Sequence, residues 1–280
     1  MTLFEMYQTF LNTHPIQIKL YNGQEIKYRF FGHGNHTILA LLNGSMLKTN
    51  AYFKMLQSLE EDYQIMTLEM PSELTQMDHL VDLIYHVLKS LEINSVYLLG
   101  ASFGGSMAQV FAKKYPKFVC GMILYNTLTQ TTLMNEHSKW VISQVLEAIH
   151  QIKELRKLMP LSAIKDALLN QISEALINPS DLDVFETLIH EYTEQDEKVQ
   201  MALILDLLTN YHFKKEDFSF LKQKVLVLYG HDDDPFGGTE LIETLADVLT
   251  EPILKFIEAD KLSLVIDPNP LISEVKSFIK

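Results

Sequence analysis

The chain has 280 residues, 47% of them hydrophobic, and a formal net charge of −13. That is enough apolar material for one large domain, or for a core carrying an inserted subdomain. The acidic balance, with no basic run to offset it, argues against a nucleic-acid-binding surface and against adhesion to anionic lipid.

The N-terminal stretch MTLFEMYQTFLNTH contains Glu5 and no basic residue, so it does not read as a secretory signal. No apolar run approaches the roughly eighteen residues of a membrane span, and a cytoplasmic protein is expected. From Ile16 to Phe31, two alternating runs flank Asn22-Gly23, the usual pair for a type I′ hairpin turn. The run HTILALL, His36 to Leu42, is nearly continuous in apolar residues and predicts a buried parallel strand ending at Asn43-Gly44. Helical spacing follows, with Tyr52, Phe53, Leu56 and Leu59 on one face. QIMTLEM predicts a further strand, and MDHLVDLIYHVLKSLEI an amphipathic helix. SVYLLG then leads into Gly100-Ala101-Ser102-Phe103-Gly104-Gly105 and a helical pattern, and a strand is predicted over Val119 to Asn126. That strand holds the single cysteine, Cys120, which excludes an intrachain disulfide and reads as a buried core thiol.

The texture changes near residue 130. Long helical patterns run to about residue 212, punctuated by Pro160 and Asn178-Pro179, and strands return only at KVLVLYG and ILKFIEA. A C-terminal helix is expected from about Pro270. Alternating strands and helices imply an α/β chain with a mostly parallel sheet covered on both faces. The expected organisation is a core made of residues 1–129 and 213–280, with a helical cap, residues 130–212, inserted between sheet strands.

Ser102 sits in a G-x-S-x-G pattern between an apolar strand and a helix. Such a corner holds a serine at a strained backbone position, and small neighbours let strand and helix approach. The hydroxyl then projects beside a helix N-terminus, which favours developing negative charge. The chain resembles the α/β-hydrolase fold over nearly its whole length, in the order hairpin, serine elbow, helical cap, late acid loop and C-terminal helix. The resemblance implies a serine hydrolase with Ser102 as nucleophile. Its acid lies in the late Gly-x-x-Asp loop, here Gly230 and Asp233, with Asp234 the next candidate. Its oxyanion donors are backbone N–H groups near Ser45 (or Met46) and Phe103.

The family's histidine, about seven residues before an acid-Pro pair, has no counterpart. Counting back from Asp267-Pro268 puts Lys261 there, and no histidine follows His231. A serine hydroxyl without an adjacent base is a weak nucleophile. The segments Met70-Pro71, Asp78-His79 and Ala108-Gln109-Val110-Phe111-Ala112 are similar to the maspardin-like branch, which lacks a working histidine. That resemblance is strongest from Tyr63 to Asn126. Three functions follow as expectations. The first is a degenerate serine-hydrolase scaffold in which Lys261 pairs with Asp233 and a pocket takes a small acyl or hydrophobic ligand. The second is an active ester or acyl hydrolase with an unorthodox base, for which His231 and Lys261 are the candidates. The third is a non-catalytic protein that binds a protein partner through the cap. His137, His150 and His190 read as ordinary helix-face residues. No metal or cofactor is expected, because contiguous acids such as Asp232–Asp234 do not converge on one ion and no phosphate-binding fingerprint is present.

Overall fold

The computed structural model describes residues 1–44, 46–131, 134–230, 239–259 and 263–279, with backbone alone at 239–241 and 263. The strands are β1 (Gln17–Tyr21), β2 (Gln24–Gly32), β3 (Thr37–Leu41), β4 (Gln64–Leu68), β5 (Val96–Ala101), β6 (Val119–Tyr125), β7 (Val225–Gly230) and β8 (Ile253–Ile257). They form one sheet in the order β1-β2-β4-β3-β5-β6-β7-β8. β2 is antiparallel to both β1 and β4, and the remaining pairs are parallel. The hairpin turns where the sequence predicts it, with Asn22 and Gly23 at φ 50° and 80°.

Strand side chains alternate between two apolar layers. Leu39 and Leu41, with Leu98, Met122 and Val227, enter one layer; Ile38 and Ala40, with Leu99, Ile123 and Leu228, enter the other. Both faces are therefore covered, as a parallel sheet requires. The first layer is closed by α3 (Met77–Ser90), α4 (Phe103–Lys114) and α9 (Thr239–Val248), with α8 (Glu194–Asn210) packed on α3. The second is closed by α1 (Leu3–Thr13), α2 (Phe53–Glu60) and α11 (Asn269–Phe278), with α7 (Leu182–His190) against α1 and the short α10 (Ser263–Ile266) against α2. The expected α/β architecture is what the chain adopts.

Helix α1 is an addition to the sequence reading. Thr2 and Glu5 form a reciprocal capping box, and Leu3, Tyr7 and Phe10 bury one stripe against the second layer. An isolated helix of this length is marginal in water, so packing holds it. Cys120 corrects an expectation: it is only partly buried, near the start of β6, because an apolar run does not say how far each of its side chains is covered.

Between β6 and β7 the chain forms α5 (Glu136–Arg156), α6 (Leu161–Ala175), α7 and α8. This block is tied to the segments that follow β3 and β4 and to helix α1. Lys48 pairs with Asp196 at 2.9 Å. The Met77 N–H donates to the Asp206 carboxylate at 2.7 Å. The Tyr7 hydroxyl donates to Glu191 at 2.8 Å. No helix among the described residues is long and apolar enough to cross a membrane.

Candidate functional site

In the strand order, β4 and β5 lie on opposite sides of β3, so the connections from β3 and β5 leave in opposite directions. In open α/β sheets, ligand crevices form outside the carboxyl ends of strands at such a switch point. Ser102 follows β5 there, and Asn43-Gly44 follows β3. Ser102 has φ 50° and ψ −121°, a sparsely populated conformation that costs on the order of 1–3 kcal/mol. Its N–H donates to the Tyr125 carbonyl at 2.9 Å, and its carbonyl accepts from Gly105 N–H at 3.0 Å. The conformation is held from both sides.

The glycines around Ser102 are packing requirements. A Cβ on Gly104 would lie 1.8 Å from the Leu41 carbonyl oxygen. One on Gly100 would lie 2.5 Å from the Gly105 Cα, and one on Gly105 would lie 1.9 Å from the Thr127 hydroxyl. Strand and helix thus meet at backbone distance, and Ser102 is exposed while both its neighbours are buried. Its hydroxyl oxygen lies 3.8 Å from where a Gly44 Cβ would stand, so the turn after β3 faces the hydroxyl at ordinary contact distance. Phe103 opens α4, and its N–H belongs to the first turn, where no intrahelical acceptor exists. Such a donor beside an exposed hydroxyl suits a developing oxyanion.

On the β3 side, Gly44 and Leu47 exchange backbone hydrogen bonds, N–H to carbonyl, at 3.2 and 2.8 Å. Met46 within that turn has φ 64°, and the Asn43 side chain accepts from the Thr49 hydroxyl. Ser45 lies outside the described residues, as do His231, Asp232, Asp233 and Asp234, and also Asp260 and Lys261. The stems of the two loops that carry these acids and the lysine are described, and they meet. Gly230 is in register with Ile257, and a Cβ on Gly230 would lie 2.1 Å from the Ala259 carbonyl oxygen. The chain therefore leaves β7 and β8 from adjacent points.

Asn126 was missed in the sequence reading. It has φ 43°, which asparagine tolerates better than most residues, and its side-chain oxygen accepts from the Gly230 N–H at 3.1 Å. This couples the end of β6 to the start of the acid loop. A second tie fixes the segment beyond it: Gln109, fully buried, donates to the Leu128 carbonyl at 3.0 Å and accepts from the Thr129 hydroxyl at 2.6 Å. Asp78, by contrast, pairs at 3.4 Å with Lys114 in the last turn of α4, at the far end of that helix from Ser102. His137 lies in α5 and is partly buried, while His150 in α5 and His190 in α7 are exposed.

Beside the serine turn is a recess of about 60 Å³, walled by Arg29, Asn43, Lys48, Phe103 and, from the helical block, Tyr192 and Asp196. Asp196 closes a capping box with Thr193 at the start of α8 and also meets Lys48. Burial pushes its carboxyl up, but hydrogen bonds from Thr193 and Lys48 outweigh this and hold it below the ordinary carboxylate range.

Two predictions follow from this geometry. Gly104→Ala, which forces a Cβ onto the Leu41 carbonyl, should cost at least about 1–3 kcal/mol in urea denaturation; an unchanged midpoint would mean that the corner is not this tight. For Asp196, the folded pKa is depressed, so its contribution is present above the unfolded pKa and is lost as pH falls through the lower folded value. Asp196→Asn should therefore destabilise the protein by about 1 kcal/mol at neutral pH. The gap to wild type should narrow in acid, below the ordinary aspartate range. A gap that is constant with pH would contradict the assigned interactions.

Comparison with known proteins places this geometry. A carboxylesterase of the thaumarchaeon Nitrososphaera gargenis superimposes with a TM-score of 0.72 over 94% of this chain and 97% of its own, at 16% identity. A hydrolase from Pseudomonas aeruginosa PA01 gives 0.70 over 95% and 98%, at 18% identity. Est816, described as an N-acyl homoserine lactone degrading enzyme, gives 0.68 over 94% and 100%, at 16% identity. At these identities the likeness is one of fold, that of the α/β-hydrolases. A proline iminopeptidase of Clostridioides difficile (strain 630) is 28% identical over 141 residues, 45% of this chain. The match spans about half of that curated relative's length, 48%. Residues 60–267 match the Ndr family, a result consistent with the resemblance to the maspardin-like branch. The chain belongs to the Ndr family, within the α/β-hydrolase superfamily.

Proposed function

We propose that this protein is a serine-hydrolase scaffold whose base has been replaced, so that ester hydrolysis is weak or absent. Ser102 stands in the nucleophile position, and Phe103 and Ser45 supply the oxyanion donors. Asp233 is the acid, and Lys261 occupies the place of the histidine. The helices of residues 130–212 act as the cap. The observation that carries this reading is the Ser102 backbone, strained and exposed at the switch point. Adjacent departure of the two loops from Gly230 and Ala259 supports a contact between Asp233 and Lys261. Absence of any histidine after His231 supports loss of the ordinary base.

The chemistry of the substitution decides the activity. A lysine acts as a base near neutral pH only when desolvation lowers its pKa by several units. Asp260 beside it in the chain, and the acids at 232–234, favour the charged ammonium instead. A charged Lys261 donates to Asp233 and preserves an electrostatic contact between the loops, but it cannot take the Ser102 proton. What remains is a helix N-terminus, an oxyanion site and a covered pocket that can hold a small acyl or hydrophobic ligand. Loss of a triad member leaves roughly 10³–10⁴-fold catalysis over water.

With an activated ester such as p-nitrophenyl acetate, wild type should therefore hydrolyse very slowly. Lys261→His should raise turnover by about tenfold or more, and this gain should vanish when Ser102→Ala is added. Rapid turnover by wild type, abolished by Ser102→Ala alone, would mean that another base, with His231 the first candidate, serves an active hydrolase.

A further inference from the structure

Arg29 is placed where a cation is hard to keep. On β2 it stands opposite Thr67 of β4, and Glu69, two residues on, shares their side of the sheet. The residue is only 7% exposed. Its Nε donates to the His14 carbonyl at 2.8 Å, tying the end of α1 to the sheet. Among the described residues the carboxylate within ion-pair range is Glu69, 3.6 Å from Nη1 and too far for a hydrogen bond. The other cation of the recess, Lys48, is already matched by Asp196 at 2.9 Å. A buried guanidinium without a hydrogen-bonded counter-charge is costly, and this one borders open space of about 60 Å³. That is several times the ~10–15 Å³ that one water needs.

We propose that this recess is a binding site for a short-chain carboxylate. With Nε held by the His14 carbonyl, Nη1 and Nη2 of the planar Arg29 guanidinium remain as a pair of N–H donors at carboxylate spacing. Thr67 and Asn50 add polar wall, the Glu69 and Asp196 carboxylates that face Arg29 and Lys48 also line it, and Met70 and Phe103 offer apolar surface for a tail of a few carbons. The site needs no reaction at Ser102, so it stands whether or not the serine is a nucleophile.

The test is a titration of the whole protein, carrying ¹³C-methyl-labelled methionine, with propionate and with its neutral isostere propionamide. The Met70 signal, identified by its loss in Met70→Leu, reports on the recess. Propionate should shift it saturably, and propionamide should bind about tenfold more weakly or worse. Arg29→Lys keeps the charge without the fork and should weaken propionate about tenfold. Equal binding of the two probes, no effect of either on Met70, or unaltered propionate affinity in a folded Arg29→Lys would each overturn the proposal. Should Arg29→Lys not fold, the comparison of the two probes on wild type decides alone.

Discussion

At the corner between β5 and α4, backbone meets backbone with no room for a Cβ at residues 100, 104 or 105. The remaining geometry of the site depends on that contact. Because α4 presses on the Leu41 carbonyl and on Thr127, the one residue that cannot turn inward is Ser102. It is pushed into a positive-φ conformation and out of the sheet. The strain is sustained by large buried surfaces on either side, since β5 is buried at five of its six positions and α4 at its first ten. The same contact fixes the start of α4, and with it the direction of the first free N–H groups.

Around that corner the protein uses polar ties where a loop must be fixed without regular structure. Gln109 holds the segment after β6, Asn126 holds the end of β7, and Lys48 with Asp196 holds the start of α8 over the turn after β3. Each is a buried or half-buried group with its hydrogen bonds satisfied, the condition under which such groups add rigidity instead of cost. Arg29 departs from that pattern, which is why the recess it borders draws the inference of a missing anionic partner.

Features encoded within a few residues were legible in the sequence. Asn22-Gly23 states its own turn, the alternating apolar layers of β3 and β5 show in their unbroken runs, and the glycines around Ser102 announce the corner. Helix α1 has an equally local signal, Thr2 and Glu5 at capping-box spacing. What no local reading yields is a contact between distant segments. Asn126 meets Gly230 across 104 residues, and Arg29 stands opposite Thr67 only because β2 pairs directly with β4 and not with β3, the next strand in the chain. Cys120 shows the converse: an apolar run predicts a strand but not the degree to which each side chain is covered.

The replacement of an imidazole by an ammonium is the central chemical claim, and the group nearest the Ser102 hydroxyl tests it most directly. The measurement is a crystal structure near neutral pH that resolves the loops following Gly230 and Ala259. The Lys261 ammonium, paired with the Asp233 carboxylate, should lie on the hydroxyl side of the serine turn, with no imidazole in reach. An imidazole of His231 within hydrogen-bond distance of the Ser102 oxygen would contradict it and restore a working base.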